Sequence, residues 1–73
     1  MKYRDRIRSL REDNDYTQKF IADLLQKSQQ GYSHIENGKA ELKIEDLVRL
    51  CKFYNVSADY IIGLTDTKKS FKK

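Results

Sequence analysis

Residues 17–39, TQKFIADLLQKSQQGYSHIENGK, carry two short helix signatures separated by almost nothing. Thr17 has a hydroxyl that can accept a backbone N–H at a helix start, and Ile21, Leu24 and Leu25 follow at inward-facing spacing. This predicts a helix from Thr17 to Leu25. Ser28 offers the same cap to a further helix that stops at Asn37-Gly38, where left-handed backbone is tolerated. On a helical wheel at about 100° per residue, Tyr32 and Ile35 point one way, with Ser28 and Gly31 beside them. Gln29, Gln30, Ser33, His34 and Asn37 occupy the opposite arc.

Working outward, Tyr3, Ile7 and Leu10 give the stripe of an amphipathic helix over 3–14, ended by Asn14-Asp15. Downstream, Ile44, Leu47, Val48, Leu50, Cys51 and Tyr54 repeat with helical period over 44–54, with Glu45 and Asp46 in the first turn and Asn55 closing it. Ser57 caps a short fifth helix, with Asp59 in its first turn, Ile61 and Ile62 behind, and Gly63 as its stop. The chain has no proline, and nothing alternates with period two for long enough to be a strand. The expected fold is all-α: a compact bundle of five short helices in one domain over 1–66. A basic, polar tail occupies 67–73.

Composition narrows the functional classes. A chain of 73 residues with 38% apolar content has a small core, and a deep catalytic cavity would compete for the same side chains. Cys51 stands alone, so no intrachain disulfide or cysteine-based zinc site forms, and its place in an apolar stripe marks it as a small buried hydrophobe. His34 has no ligand partners at metal-binding spacing. No cofactor and no metal are expected, and no nucleophile–base pair or phosphate-cradling glycine loop suggests an enzyme. No apolar run is long enough for a membrane span or signal peptide, so a cytoplasmic protein with no membrane partner is expected. The net charge of +4 is uneven: residues 1–11 carry +4, 66–73 carry +3 and the middle carries −3. Basic ends suit a polyanionic partner and equally suit solvated termini. Arg4, Arg8 and Arg11 line one face of the first helix, a pattern open to both solvated charge and phosphate contact.

The outer arc of the 28–37 helix is the distinctive feature. A merely solvated helix face carries Lys and Glu, whereas this one is uncharged and rich in paired donors and acceptors. The glutamine amide matches the N6–H and N7 edge of adenine in a major groove. Glutamines are also ordinary surface residues, so the wheel alone leaves both readings standing. A short helix, a tight turn and a polar-faced helix together form a helix-turn-helix arrangement, which favours double-stranded DNA as the partner. Gly31 costs about 1 kcal/mol of helix stability relative to alanine and removes a side chain beside the reading face.

The residues 17–25 and 28–39, together with NVSADYIIG at 55–63, resemble the lambda-repressor/Cro-like (Xre-type) helix-turn-helix proteins. The resemblance covers residues 4–66. It implies a lambda-repressor-like DNA-binding domain with its helix-turn-helix at about 17–37. Position by position it implies that Gln18 contacts phosphate, and that Ser28, Gln29, Gln30, Ser33 and His34 face bases or phosphates. Asn37 and Lys39 would meet the backbone just beyond. It also implies that Ala22 sits where two helices cross, that Tyr32 and Ile35 face the core, and that Arg11 and Glu36 pair. Three departures stand out. Gln26 and Lys27 replace a usual glycine and a usual apolar residue in the turn, and Ala40-Glu41-Leu42-Lys43 lacks the family's Arg and Pro. Lys43 is also a poor N-cap.

The expected function is a sequence-specific DNA-binding transcriptional regulator: a repressor binding a palindromic operator as a homodimer. One subunit reads only about four or five base pairs, too few for genomic selectivity, which is why two copies are expected. Tyr54, Tyr60, Ile61 and Leu64 read mostly as core, and apolar surface left exposed near the C-terminus would be the natural seam. The length leaves no room for a ligand-binding domain, so regulation would come from concentration, oligomerisation, degradation or a partner. The alternative is a protein-interaction module, an antitoxin or adaptor, with DNA binding secondary.

Overall fold

A computed structural model of the chain describes residues 3–68. Five helices follow one another: α1 (Tyr3–Asp13), α2 (Gln18–Leu24), α3 (Gln29–Glu36), α4 (Ile44–Tyr54) and α5 (Ala58–Ile62). No strand occurs among the described residues. The expected all-α bundle of five short helices is the observed architecture, with helix ends falling within two residues of those read from the sequence. Of the basic tail at 67–73, only Thr67 and Lys68 are described; the rest lies outside the described residues.

Local chemistry sets the helix boundaries. The hydroxyls of Thr17, Ser28 and Ser57 accept the backbone N–H groups of Phe20, Gly31 and Tyr60, each at 3.0 Å. Each bond satisfies a donor that the first helical turn would otherwise leave unpaired. Lys43 precedes α4 and makes no side-chain cap bond, as its chemistry requires. At the other ends, Asp15, Asn55 and Gly63 take left-handed backbone, with φ of 60°, 57° and 90°. Gly38 does the same after α3, at φ 84°.

Ile7 and Leu10 of α1, Ile21 and Ala22 of α2, Tyr32 and Ile35 of α3, Leu50 and Cys51 of α4, and Ile61 of α5 fill a single core. Burial holds the Cys51 thiol above its ordinary value, consistent with a packing role. Helix α2 packs on α3, α1 on α3 and α5, and α4 on α5. The α1–α5 contact is locked by Arg6, whose guanidinium donates to the carbonyls of Tyr60 and Thr65, each at 3.1 Å, and to Asp66 at 2.6 Å. It also lies 4.2 Å from the Tyr60 ring centroid.

Two features of the packing go beyond what periodicity and local chemistry show. The apolar stripe of α4 is wider than the surface that covers it: Ile44 is 74% exposed and Val48 45% exposed, while Leu50 is fully buried. Helix α4 sits at the edge of the bundle: Leu47, Leu50, Cys51 and Tyr54 of its stripe meet the core, while Ile44 and Val48 do not. Lys27, out of place as a turn residue, has a structural partner. Its ammonium lies 2.9 Å from the Asp46 carboxylate at the start of α4, and both side chains are largely shielded. The sequence also concealed an aromatic cluster: Tyr16 stacks on Phe20 at 4.7 Å between ring centroids, and Phe53 and Tyr54 lean against them.

Gln26 takes φ 59° in the turn between α2 and α3. A Cβ in left-handed backbone costs about 1–2 kcal/mol, partly balanced by the lower chain entropy of a non-glycine residue when unfolded. The Gln26 side chain is exposed, and among the described residues it makes no hydrogen bond that would offset this. Gln26→Gly is therefore expected to raise stability by up to about 1 kcal/mol, as measured by urea denaturation. A lower midpoint in the variant would show that the turn is not strained.

Candidate nucleic-acid interface

The geometry of the interface starts with a tight turn. The N–H groups of Gln26 and Lys27 donate to the carbonyls of Asp23 and Ala22 at 3.1 and 2.8 Å, which ends α2 and redirects the chain into α3. Ala22 and Tyr32 are both fully buried, and α2 packs on α3 along their inner sides. Gly31 serves the same local economy. A Cβ there would meet the Ser28 hydroxyl at 3.1 Å, so its small size protects the α3 cap.

The outer side of α3 is open. Gln29, Gln30, Asn37 and Lys39 are exposed, while Gln18, Ser33 and His34 are half-buried. These seven side chains line one shallow concavity of about 500 Å³. Seven of the eight DNA-facing candidates thus share a surface. Ser28 is exposed but outside that lining, and its oxygen is engaged in the helix cap. Lys39 reaches the site because the chain folds back on α3: the N–H groups of Lys39 and Ala40 both donate to the His34 carbonyl, at 2.8 and 3.1 Å. Asn37 is steadied by donating to the Ser33 hydroxyl at 3.3 Å.

Beneath this surface lies the expected Arg11–Glu36 pair. Arg11 donates Nε–H to one carboxylate oxygen at 2.8 Å and Nη2–H to the other at 3.0 Å, a bidentate fork. It also donates to the Tyr16 carbonyl at 3.1 Å, fixing the turn that leads into α2. The Glu36 side chain is fully buried, which by itself favours the neutral acid. The bonds from Arg11, Tyr32 and Gln18 and the charge of Arg11 outweigh that burial and hold the carboxyl below its ordinary value of 4.5. The same carboxylate, after burial, helps push the Tyr32 phenol well above its usual range, so Tyr32 stays a neutral donor.

One link went unseen in the sequence. The Gln18 amide donates to Glu36 Oε1 at 3.1 Å. Gln18 is therefore held in place from behind, with its second N–H and its carbonyl oxygen left for an incoming ligand. Nothing in a one-dimensional reading joins positions 18 and 36. Chemically, the surface offers amides, one hydroxyl, an imidazole and one ammonium. Among the described residues, no group of three or more His, Cys, Asp or Glu side chains could hold a metal ion, and no helix is long and apolar enough to cross a membrane.

A capped helix, a tight turn and a second helix with an outward polar face define the helix-turn-helix class. The chain belongs to the helix-turn-helix family, of the lambda-repressor/Cro-like (Xre) type, matching it over residues 7–61. It is similar to the uncharacterized HTH-type transcriptional regulator YobD of Bacillus subtilis, with 34% identity covering 88% of this chain and 57% of that protein. It also resembles the SPbeta prophage-derived uncharacterized HTH-type transcriptional regulator YonR, with 34% identity over 80% of this chain and 54% of the relative. The HTH-type transcriptional regulator ImmR, from the same organism, is 31% identical over 88% of this chain and 50% of its own length. The chain spans about half the length of these curated relatives. No solved structure gives a significant match.

The depressed Glu36 value carries a stability consequence with a definite sign. A carboxyl held low in the folded state contributes stability above its unfolded value, lost as the pH falls through the folded one. Glu36→Gln is expected to lower unfolding free energy by about 3 kcal/mol at neutral pH, because Arg11 loses its charged partner. The gap to the wild type should narrow as the pH falls below 4.5 and the wild-type carboxyl protonates. Urea denaturation across that range checks this, and a gap independent of pH would contradict it.

Proposed function

We propose that this chain is the DNA-reading unit of a transcriptional regulator, with α3 entering the major groove of double-stranded DNA. The single observation that carries this reading is the shared polar surface of Gln18, Gln29, Gln30, Ser33, His34, Asn37 and Lys39. Gln29 and Gln30 stand at the start of α3, where the first residues of a recognition helix address base edges. Each has a planar amide suited to adenine. Gln18 and the backbone N–H groups at the start of α2 would face a phosphate, as would Asn37 and Lys39 on the other side of α3. Ser28 would add a contact only through the hydroxyl proton that its cap leaves free.

The finer reading is a repressor that occupies a palindromic operator as a homodimer, its recognition helices about 34 Å apart in successive major grooves. Two copies would read enough base pairs to be selective, and occupancy alone would block polymerase. Leu64, 73% exposed, remains available for the seam expected near the chain's end, whereas Tyr60 and Ile61 are buried in the monomer. The uncovered apolar face of α4, with Ile44 and Val48, favours a second reading beside it: an antitoxin or adaptor that meets a protein partner through that face.

Gel-shift titrations separate the roles. Gln29→Ala or Gln30→Ala is expected to weaken binding to a selected site by about 1–3 kcal/mol while sparing random duplex. Gln18→Ala should weaken all sequences alike. Equal losses on both DNAs for the α3 variants would contradict base reading. Salt-independent retention would favour the protein-interaction reading over this one.

A further inference from the structure

Helix α1 carries four arginines, and the fold uses them unequally. Arg6 is consumed by the Tyr60 and Thr65 carbonyls and Asp66. Arg11 is consumed by Glu36 and the Tyr16 carbonyl. Arg4 and Arg8, one turn apart, are not. No carboxylate among the described residues pairs with Arg4. Its Nε is buried and makes no hydrogen bond. Its guanidinium is nevertheless held by packing: the carbon lies 5.0 Å from the Tyr3 ring centroid, and Nε sits where it would be 3.1 Å from a Cβ on Gly38. Arg8 has only a loose approach, 3.8 Å, to Glu36 Oε1, a carboxylate that Arg11 already engages with two bonds. Its side chain is 46% exposed.

The positions of these two spare cations matter. Gly38 lies between Asn37 and Lys39, both of which line the concavity, and Glu36 Oε1 is also the acceptor of Gln18, which lines it too. Arg4 thus packs on Gly38, next to two residues of that surface, and opens on a separate concavity with Tyr3, Glu41 and Leu42, while Arg8 approaches the carboxylate that lies beneath the surface. With one-turn spacing and no strong carboxylate partner, the terminal N–H groups of these two guanidiniums are donors suited to phosphate oxygens. We propose that Arg4 and Arg8 form a phosphate-binding edge on α1 that grips the DNA backbone next to the segment addressed by Lys39 and Asn37. This rests on the DNA-reading role proposed above and extends its footprint to a third helix. The edge supplies affinity and orientation without reading bases, because phosphates are the same at every step.

The test is the salt dependence of binding for the full chain and for Arg4→Gln, Arg8→Gln and the double variant, on a selected duplex and on a random one. Each lost phosphate contact should reduce the slope of log K against log salt by about 0.9, and the affinity loss should be the same factor on both duplexes. Thermal melting of each variant reports folding, and Arg8→Gln keeps the test open should Arg4→Gln destabilise the packing at Gly38. Slopes equal to the wild type's in folded variants would overturn the edge, as would a loss confined to the selected duplex. A wild type with no salt-dependent DNA binding would instead overturn the DNA-reading role itself.

Discussion

A fully buried carboxylate is a liability unless it is met, and Glu36 is met from three sides. Taking such a charge out of water costs several kcal/mol, recovered only where the geometry of its partners is good. Arg11 on α1 supplies the fork, Tyr32 on α3 adds its hydroxyl, and Gln18 at the start of α2 adds its amide. The same guanidinium bonds the Tyr16 carbonyl in the turn before α2. One acid thus ties three helices together, and the outward direction of α3 follows from that junction. The polar surface rests directly on it, because Gln18 belongs to both.

The remainder of the fold is a small apolar core with polar clamps at its margins. Arg6 fastens the end of the described chain to α1, and Lys27 fastens the turn to the start of α4. Such clamps suit a chain of this size, whose core cannot cover every apolar face it produces. Helix α4 shows the consequence: most of its apolar stripe packs inward, while Ile44 and Val48 face water.

What could be read from the sequence was what local physics decides. Thr17, Ser28 and Ser57 cap because a short hydroxyl side chain competes for the first free N–H groups, and Asn55, Gly38 and Gly63 stop helices because they tolerate left-handed backbone. The outward arc of α3 was legible for the same reason, since a helical wheel needs no tertiary information. The approach of Gln18 and Lys39 to that arc, and the Arg11–Glu36 pair, came from family resemblance and not from spacing. Partnerships far apart in the chain were not legible. Arg6 and Asp66 are 60 positions apart, and Gln18 and Glu36 are 18 apart. Periodicity could not say which residues of the α4 stripe would be left uncovered. The Ser28 hydroxyl oxygen answers the helix start's demand for a cap, which leaves only its proton for any ligand.

The central claim is that the amide-bearing face of α3 discriminates among base sequences. Selection of bound duplexes from a random pool tests it most directly. The account predicts enrichment of a symmetric site, two short half-sites with centres about 10 base pairs apart, each containing an adenine opposite Gln29 or Gln30. A bound pool that remains as random as the starting one would contradict it.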